Sequence, residues 1–122
     1  GNDVTVISYG AGVHWALEVL EKNPEIHADM IDIRTLQPLD LETIYTSVRK
    51  TGKAIFLQED SQFGGIASDV SALITENCFE DLDAPVKRVA SIETPIPFQG
   101  ELEKQYLPKN RFEYELKLLL NY

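Results

Sequence analysis

Val4-Thr5-Val6-Ile7-Ser8, then Tyr9-Gly10-Ala11-Gly12, then Val13, Ala16, Leu17 and Leu20 at helical spacing: this stretch sets the architecture. The β-branched run predicts a strand, the two glycines a tight turn, and the apolar residues three and four apart one face of a helix. The unit repeats. Asn23-Pro24 closes the helix, and Ala28 to Ile33 reads as a second strand with Met30, Ile31 and Ile33 as its apolar members. Arg34 to Leu39 is a loop, after which Asp40 is placed to cap a helix carrying Leu41, Ile44, Tyr45 and Val48. That helix is expected to end at Lys50, with Gly52 in the left-handed cap position. Ala54 to Leu57 predicts a third strand, Ile66 to Cys78 a helix with Val70, Leu73 and Ile74 inward, and Pro85 to Ala90 a fourth strand. Thr94-Pro95-Ile96-Pro97 is expected to stay extended, because proline disfavours helix at its own position and the one before it. A short helical piece is expected at Leu102 to Tyr106, and beyond Pro108 a last helix with Phe112, Leu116, Leu119 and Leu120.

Strands alternating with helices of this length imply right-handed crossovers and a three-layer α/β/α domain. The expected sheet is doubly wound and mainly parallel, with four strands in the order 2-1-3-4 and a further strand expected upstream. No repeat, low-complexity tract or linker interrupts the chain, so residues 1–122 read as a single domain, and the entry into a strand at Val4 suggests a fragment of a longer protein. In such a sheet ligands favour the crevice where the loops after the first and third strands diverge. Those loops are Tyr9 to Gly12 and Gln58 to Gly65.

The composition narrows the partners. The 122 residues carry 11 Lys+Arg against 20 Asp+Glu, a net charge of −9, so the basic footprint of a nucleic-acid binder is missing and anionic membranes are poor partners. No apolar run reaches the ~18 residues of a membrane-spanning helix. The lone cysteine, Cys78, forms no internal disulfide, which points to a reducing, cytoplasmic setting.

Several constellations bear on chemistry. Gly10-Ala11-Gly12 begins like a dinucleotide fingerprint, and Asp32 lies 20 residues after Gly12, where a ribose-binding acid would stand. Trp15 fills the third glycine position, which favours a plain strand-to-helix turn, although a stand-alone nucleotide-binding module stays among the alternatives. Glu59 and Asp60 are adjacent, so on an extended chain they point oppositely and make a poor proton-sharing dyad. Asp60 with Asp69 lacks the further ligands of a cation site. His14, His27 and Cys78 have no zinc spacing, Ser61 and Ser68 have no nucleophile-elbow context, and Cys78 is expected to be a buried thiol. No catalytic, cofactor-binding or metal residue is assigned. The acidic residues Glu76, Glu80, Asp81 and Asp83, with the carboxylate of Tyr122, offer instead a docking surface for a basic partner. Of the apolar residues, Phe63, Ile66 and Phe98 are candidates for an exposed oligomer contact and equally for the core.

Val4 to Gly10, Asp32-Ile33-Arg34-Thr35-Leu36-Gln37-Pro38-Leu39-Asp40, Glu59 with Gly64-Gly65, Leu82-Asp83-Ala84-Pro85-Val86-Lys87-Arg88-Val89, and Thr94-Pro95-Ile96-Pro97 followed by Tyr106-Leu107-Pro108 together resemble the transketolase C-terminal domain. The Leu-Asp-Ala-Pro and Thr-Pro-Ile-Pro stretches make the chain similar, within that family, to the beta subunit of thiamine-diphosphate-dependent 2-oxo acid dehydrogenases. Gln58-Glu59-Asp60 departs from the His-Glu-Ala common there, which puts any role of that histidine in doubt. The resemblance implies an assembly domain of an oxidoreductase, inactive when isolated. Thiamine diphosphate and magnesium would belong to the parent enzyme, held by domains that precede this region. It further implies packing against other subunits and docking of the dihydrolipoyl acyltransferase's subunit-binding domain through Asp83 and Tyr122. Transketolase, deoxyxylulose-phosphate synthase and a pure oligomerisation module are the alternatives.

Overall fold

The computed structural model describes residues 1–33, 40–58, 65–90 and 108–122. Four strands, β1 (Val4–Ser8), β2 (Ala28–Asp32), β3 (Ala54–Gln58) and β4 (Lys87–Ala90), form one parallel sheet in the order β2-β1-β3-β4. This is the predicted order. The helices are α1 (Ala11–Lys22), α2 (Leu41–Thr51), α3 (Gly65–Cys78) and α4 (Pro108–Leu120), with a short 3-10 turn at Phe79–Asp81. Thr94–Pro97 and the helical piece expected at Leu102–Tyr106 lie outside the described residues, as do Glu59, Asp60, Ser61, Phe63 and Phe98.

Alternation along the strands divides the core in two, because successive side chains leave a strand on opposite faces. Val4 and Val6 of β1, Ile55 and Leu57 of β3, and Val89 of β4 share one cluster with Ala16 and Val19 of α1 and Phe112, Leu116 and Leu119 of α4. On the other face Ile7, Ile31, Ala54 and Phe56 pack with Ile44, Tyr45 and Val48 of α2 and Val70, Ile74 and Cys78 of α3. β1 and β3 are buried along their whole length, whereas β2, at the edge, is mostly half-buried. Central strands covered on both faces need continuous apolar runs, as these have.

Local chemistry explains the ends of α2. Asp40 is extended, and its carboxylate accepts from the Thr43 N–H at 3.3 Å and the Thr43 hydroxyl at 2.7 Å. Gly52 takes φ 77° and donates its N–H to the Val48 carbonyl at 2.7 Å. Both caps fall where the sequence predicts. In α1 the buried residues are Gly12, Ala16 and Val19, while Leu17 is 47% exposed. At about 100° per residue, Leu17 points well away from the line through those three.

The fourth strand is shorter than predicted. It starts at Lys87, and the segment ahead of it passes beneath the sheet, with Leu82 and Val86 packed on the α2/α3 cluster and Ala84 in the α1/α4 cluster. The helix α4 is tied down at two points, near its middle and at its end. Glu113 accepts from the Asn23 side-chain amide at 2.9 Å, and Lys53 donates to the Leu120 main-chain oxygen at 3.2 Å.

Candidate functional site

The two residues expected to dock a partner each contact one of two adjacent residues, Gly52 and Lys53, just ahead of β3 at the amino-terminal edge of the sheet. Asp83 follows the 3-10 turn, and its N–H donates to the Gly52 carbonyl at 2.8 Å. A Cβ on Gly52 would stand 2.4 Å from Asp83 Oδ2 and 3.1 Å from its Cγ, so the left-handed glycine both ends α2 and leaves room for the carboxylate. The next residue, Lys53, reaches the other expected position, its ammonium donating to the Tyr122 main-chain oxygen at 3.3 Å. Gly52 and Lys53 thus touch Asp83 on one side and Tyr122 on the other. Asp83 is exposed, and Tyr122 keeps 63% of its surface open.

The acids around Asp83 stay in solvent. Glu76, Glu80 and Asp81 are exposed. Asp81 lies 3.9 Å from Arg49, with both side chains more than 40% exposed, a pair of little energetic weight. Glu76, Glu80, Asp81 and Asp83 therefore make the Asp83 side of this edge acidic, with Arg49 and Lys53 as the neighbouring cations, and such a surface favours a basic partner through attraction and orientation.

At the opposite edge, where the crevice opens, the glycines serve packing. Gly10 has φ 59° and ψ −135°, a conformation suited to glycine. A Cβ on Gly12 would come within 2.2 Å of Ser8 Oγ and 3.2 Å of the Leu57 carbonyl oxygen, to which the Ser8 hydroxyl donates at 2.6 Å. Trp15 packs against the α1/α4 core. Gln58 is buried at the end of β3.

The remaining candidates are dispersed. His14 is exposed at the start of α1 and His27 is exposed just ahead of β2, at opposite edges of the sheet. Cys78 is buried at the end of α3, and burial pushes its thiol pKa up, away from nucleophilic use. Ile66 is 54% exposed. Asp69 is exposed on α3, while its suggested companion Asp60 is not among the described residues. Among the described residues no three His, Cys, Asp or Glu side chains are grouped to hold a metal, and no helix is long and apolar enough to cross a membrane.

Sequence reading did not find a polar chain beneath β1. The Thr5 hydroxyl lies 2.7 Å from Ser47 Oγ and 2.8 Å from Thr51 Oγ1, the Ser47 hydroxyl donates to Asp29 at 2.6 Å, and the Lys50 ammonium donates to the same Asp29 oxygen at 3.1 Å. The Ser47 bond is the main reason the Asp29 carboxyl titrates below its ordinary value; partial burial opposes it and Lys50 assists. Thr51 in turn donates to the Lys53 carbonyl at 2.9 Å. The signal was the presence of three hydroxyl residues on two elements, visible as a cluster only once α2 is docked on β1.

Comparison with known proteins gives the chain its family. The chain is 44% identical over 110 residues to the 2-oxoisovalerate dehydrogenase subunit beta of Bacillus subtilis (strain 168), covering 88% of this chain and 34% of that protein. It is 44% identical over 114 residues to the pyruvate dehydrogenase E1 component subunit beta of the same organism, covering 91% and 34%. The acetoin:2,6-dichlorophenolindophenol oxidoreductase subunit beta, again from Bacillus subtilis, matches at 44% over 110 residues, covering 88% and 32%. The chain thus spans about a third of the length of these relatives. Among solved structures, a split gene transketolase described as an inactive beta4 tetramer superposes with a TM-score of 0.71 at 25% identity, covering 99% of this chain and 40% of that one. The family model "Transketolase, C-terminal domain" matches residues 1–111, through all four strands and into the start of α4. With the parallel β2-β1-β3-β4 sheet and its two helical layers, this match makes the chain a member of the transketolase C-terminal domain family.

Proposed function

We propose that the chain is the C-terminal assembly domain of a thiamine-diphosphate-dependent 2-oxo acid dehydrogenase, an enzyme that oxidatively decarboxylates a 2-oxo acid and passes the acyl group to lipoyl-lysine. Its own task is to pack subunits together and to dock the subunit-binding domain of the dihydrolipoyl acyltransferase through Asp83 and Tyr122. The observation that carries this reading is the exposed carboxylate of Asp83, held at the Gly52 cap among the exposed acids Glu76, Glu80 and Asp81, with Tyr122 bonded to the adjacent Lys53. The 44% identity to beta subunits of two such dehydrogenases supports the enzyme class.

When bound in the parent enzyme, thiamine diphosphate supplies the carbanion chemistry. Among the described residues no group of His, Cys, Asp or Glu offers itself to magnesium, and Gly12 packs closely on Ser8 and Leu57. On this reading the cofactor belongs to other domains of the parent. What this chain contributes is a rigid acidic edge, its Asp83 loop fastened to the cap of α2 and its last helix fastened to Lys53. Transketolase remains the second reading, favoured by the structural neighbour at 25% identity.

The test is Asp83→Ala in the full-length enzyme, with acyltransferase binding and decarboxylation of free substrate measured side by side. Weakened binding with unchanged decarboxylation is expected. An equal loss of both activities would overturn the docking role, and no binding by the unmodified enzyme even at low salt would favour transketolase.

A further inference from the structure

Beside Asp83 lies a groove of about 540 Å³ that the acidic edge alone does not explain. Leu82 and Val86, seated on the α2/α3 core, line it together with Pro85. The Phe79 ring also lines it, and that ring is 71% exposed, the most open of the large apolar side chains among the described residues. Glu80 and Asp83 contribute the charge, and no cationic side chain lines the groove. Phe79 closes the 3-10 turn's amino end without entering either core cluster, so its exposure is not a by-product of packing.

We infer that this groove takes an apolar side chain of the docking partner, presented next to an arginine or lysine that faces Glu80 and Asp83. The inference rests on the docking reading above and adds to it the source of the affinity. Exposed charges contribute little to binding strength and are screened within about 8 Å at physiological salt, so acids govern encounter rate and orientation. An aromatic side chain buried centrally in an interface governs dissociation. The occupant is a basic partner and not a second copy of this face, because a two-fold pairing of two copies here would bring Glu80 and Asp83 against one another.

The experiment measures association and dissociation of the acyltransferase's subunit-binding domain on the full-length enzyme across a salt series. The unmodified enzyme is compared with Phe79→Ala, Phe79→Leu and Asp83→Asn. Phe79→Ala is expected to speed dissociation about tenfold with the salt dependence intact, the size found for truncation of an interface aromatic. Phe79→Leu, which keeps apolar bulk, is expected to recover most of that loss. Asp83→Asn is expected to slow association and flatten the salt dependence. Dissociation from Phe79→Ala within twofold of the unmodified enzyme, while Asp83→Asn still weakens binding, would overturn the groove and leave the docking reading standing. No binding to the unmodified enzyme would overturn both. Because Phe79 lies outside the core clusters, its replacement does not put folding at stake, and an unchanged circular dichroism spectrum is the control.

Discussion

Replacing Gly52 with alanine is expected to destabilise the chain and to disturb Asp83 at the same time, and the two effects can be separated. At φ 77° the backbone is left-handed, and an L-residue held there loses about 1–2 kcal/mol relative to glycine. The new methyl would also begin 2.4 Å from Asp83 Oδ2 and 3.3 Å from the Asp81 carbonyl oxygen. The carboxylate is exposed and can swing aside, whereas the Asp81 main chain has to give by a few tenths of an ångström. The expected total is therefore about 1.5–2.5 kcal/mol, of which backbone strain supplies the larger share. Urea denaturation of the 122-residue chain, followed by circular dichroism, reads this as a lower midpoint with an unchanged slope. In an Asp83→Ala background the carboxylate is gone, and the same substitution is expected to cost about 0.5 kcal/mol less, a coupling of the size seen for residues in contact. A Gly52→Ala cost below about 0.5 kcal/mol would refute the argument that a left-handed cap is required here. An identical cost in both backgrounds would refute the claim that Gly52 makes room for Asp83.

Three further outcomes follow from the core and its polar chain. Thr5→Val, which keeps shape and removes the hydroxyl between Ser47 and Thr51, is expected to cost about 1–2 kcal/mol in chemical denaturation; a neutral result would mean the two neighbours satisfy themselves. The depressed carboxyl of Asp29 gives stability that is fully present above the unfolded pKa of about 3.9 and is lost as pH falls through the lower folded value. Ser47→Ala removes the largest cause of that depression, so carboxyl NMR titration is expected to show the Asp29 pKa rising, and an unmoved value would contradict the assignment. Leu116→Ala, at a position with no exposed surface, is expected to cost about 3 kcal/mol, and a loss under 1 kcal/mol would show that α4 is not integral to its layer.

Much of this fold is legible in the sequence because each element carries both a period and a boundary. Asp40 and Gly52 are local signals whose geometry needs only a few neighbouring residues, and both caps stand where those residues put them. The strand order follows from the handedness of the crossovers. What escaped was non-local. Leu17 fits a helical spacing as well as Val19 does, and only the docking of α1 against β1, β3 and α4 selects Val19 for burial. The Thr5 chain required knowing which residues of α2 lie beneath β1. For the site, the resemblance singled out Asp83 and Tyr122, but that they contact the adjacent residues Gly52 and Lys53 depends on the placement of α4 beside Lys53. Phe79 went unnoticed because an aromatic after an amphipathic helix reads as one more core residue.

The two halves of the core differ in how long synthesis must run before each can close. Among the described residues, the layer containing α2 and α3 has its buried side chains in hand once Cys78 is made, but Val4 and Val6 wait for Phe112, Leu116 and Leu119, separated from them by more than 100 residues. Contacts of such long sequence separation form late and slow folding. A nascent chain arrested before Pro108 is thus expected to carry an open apolar sheet face, measurable as dye binding that vanishes when α4 emerges. This domain's burden on chaperones would accordingly fall on one face of its sheet and end with its last helix.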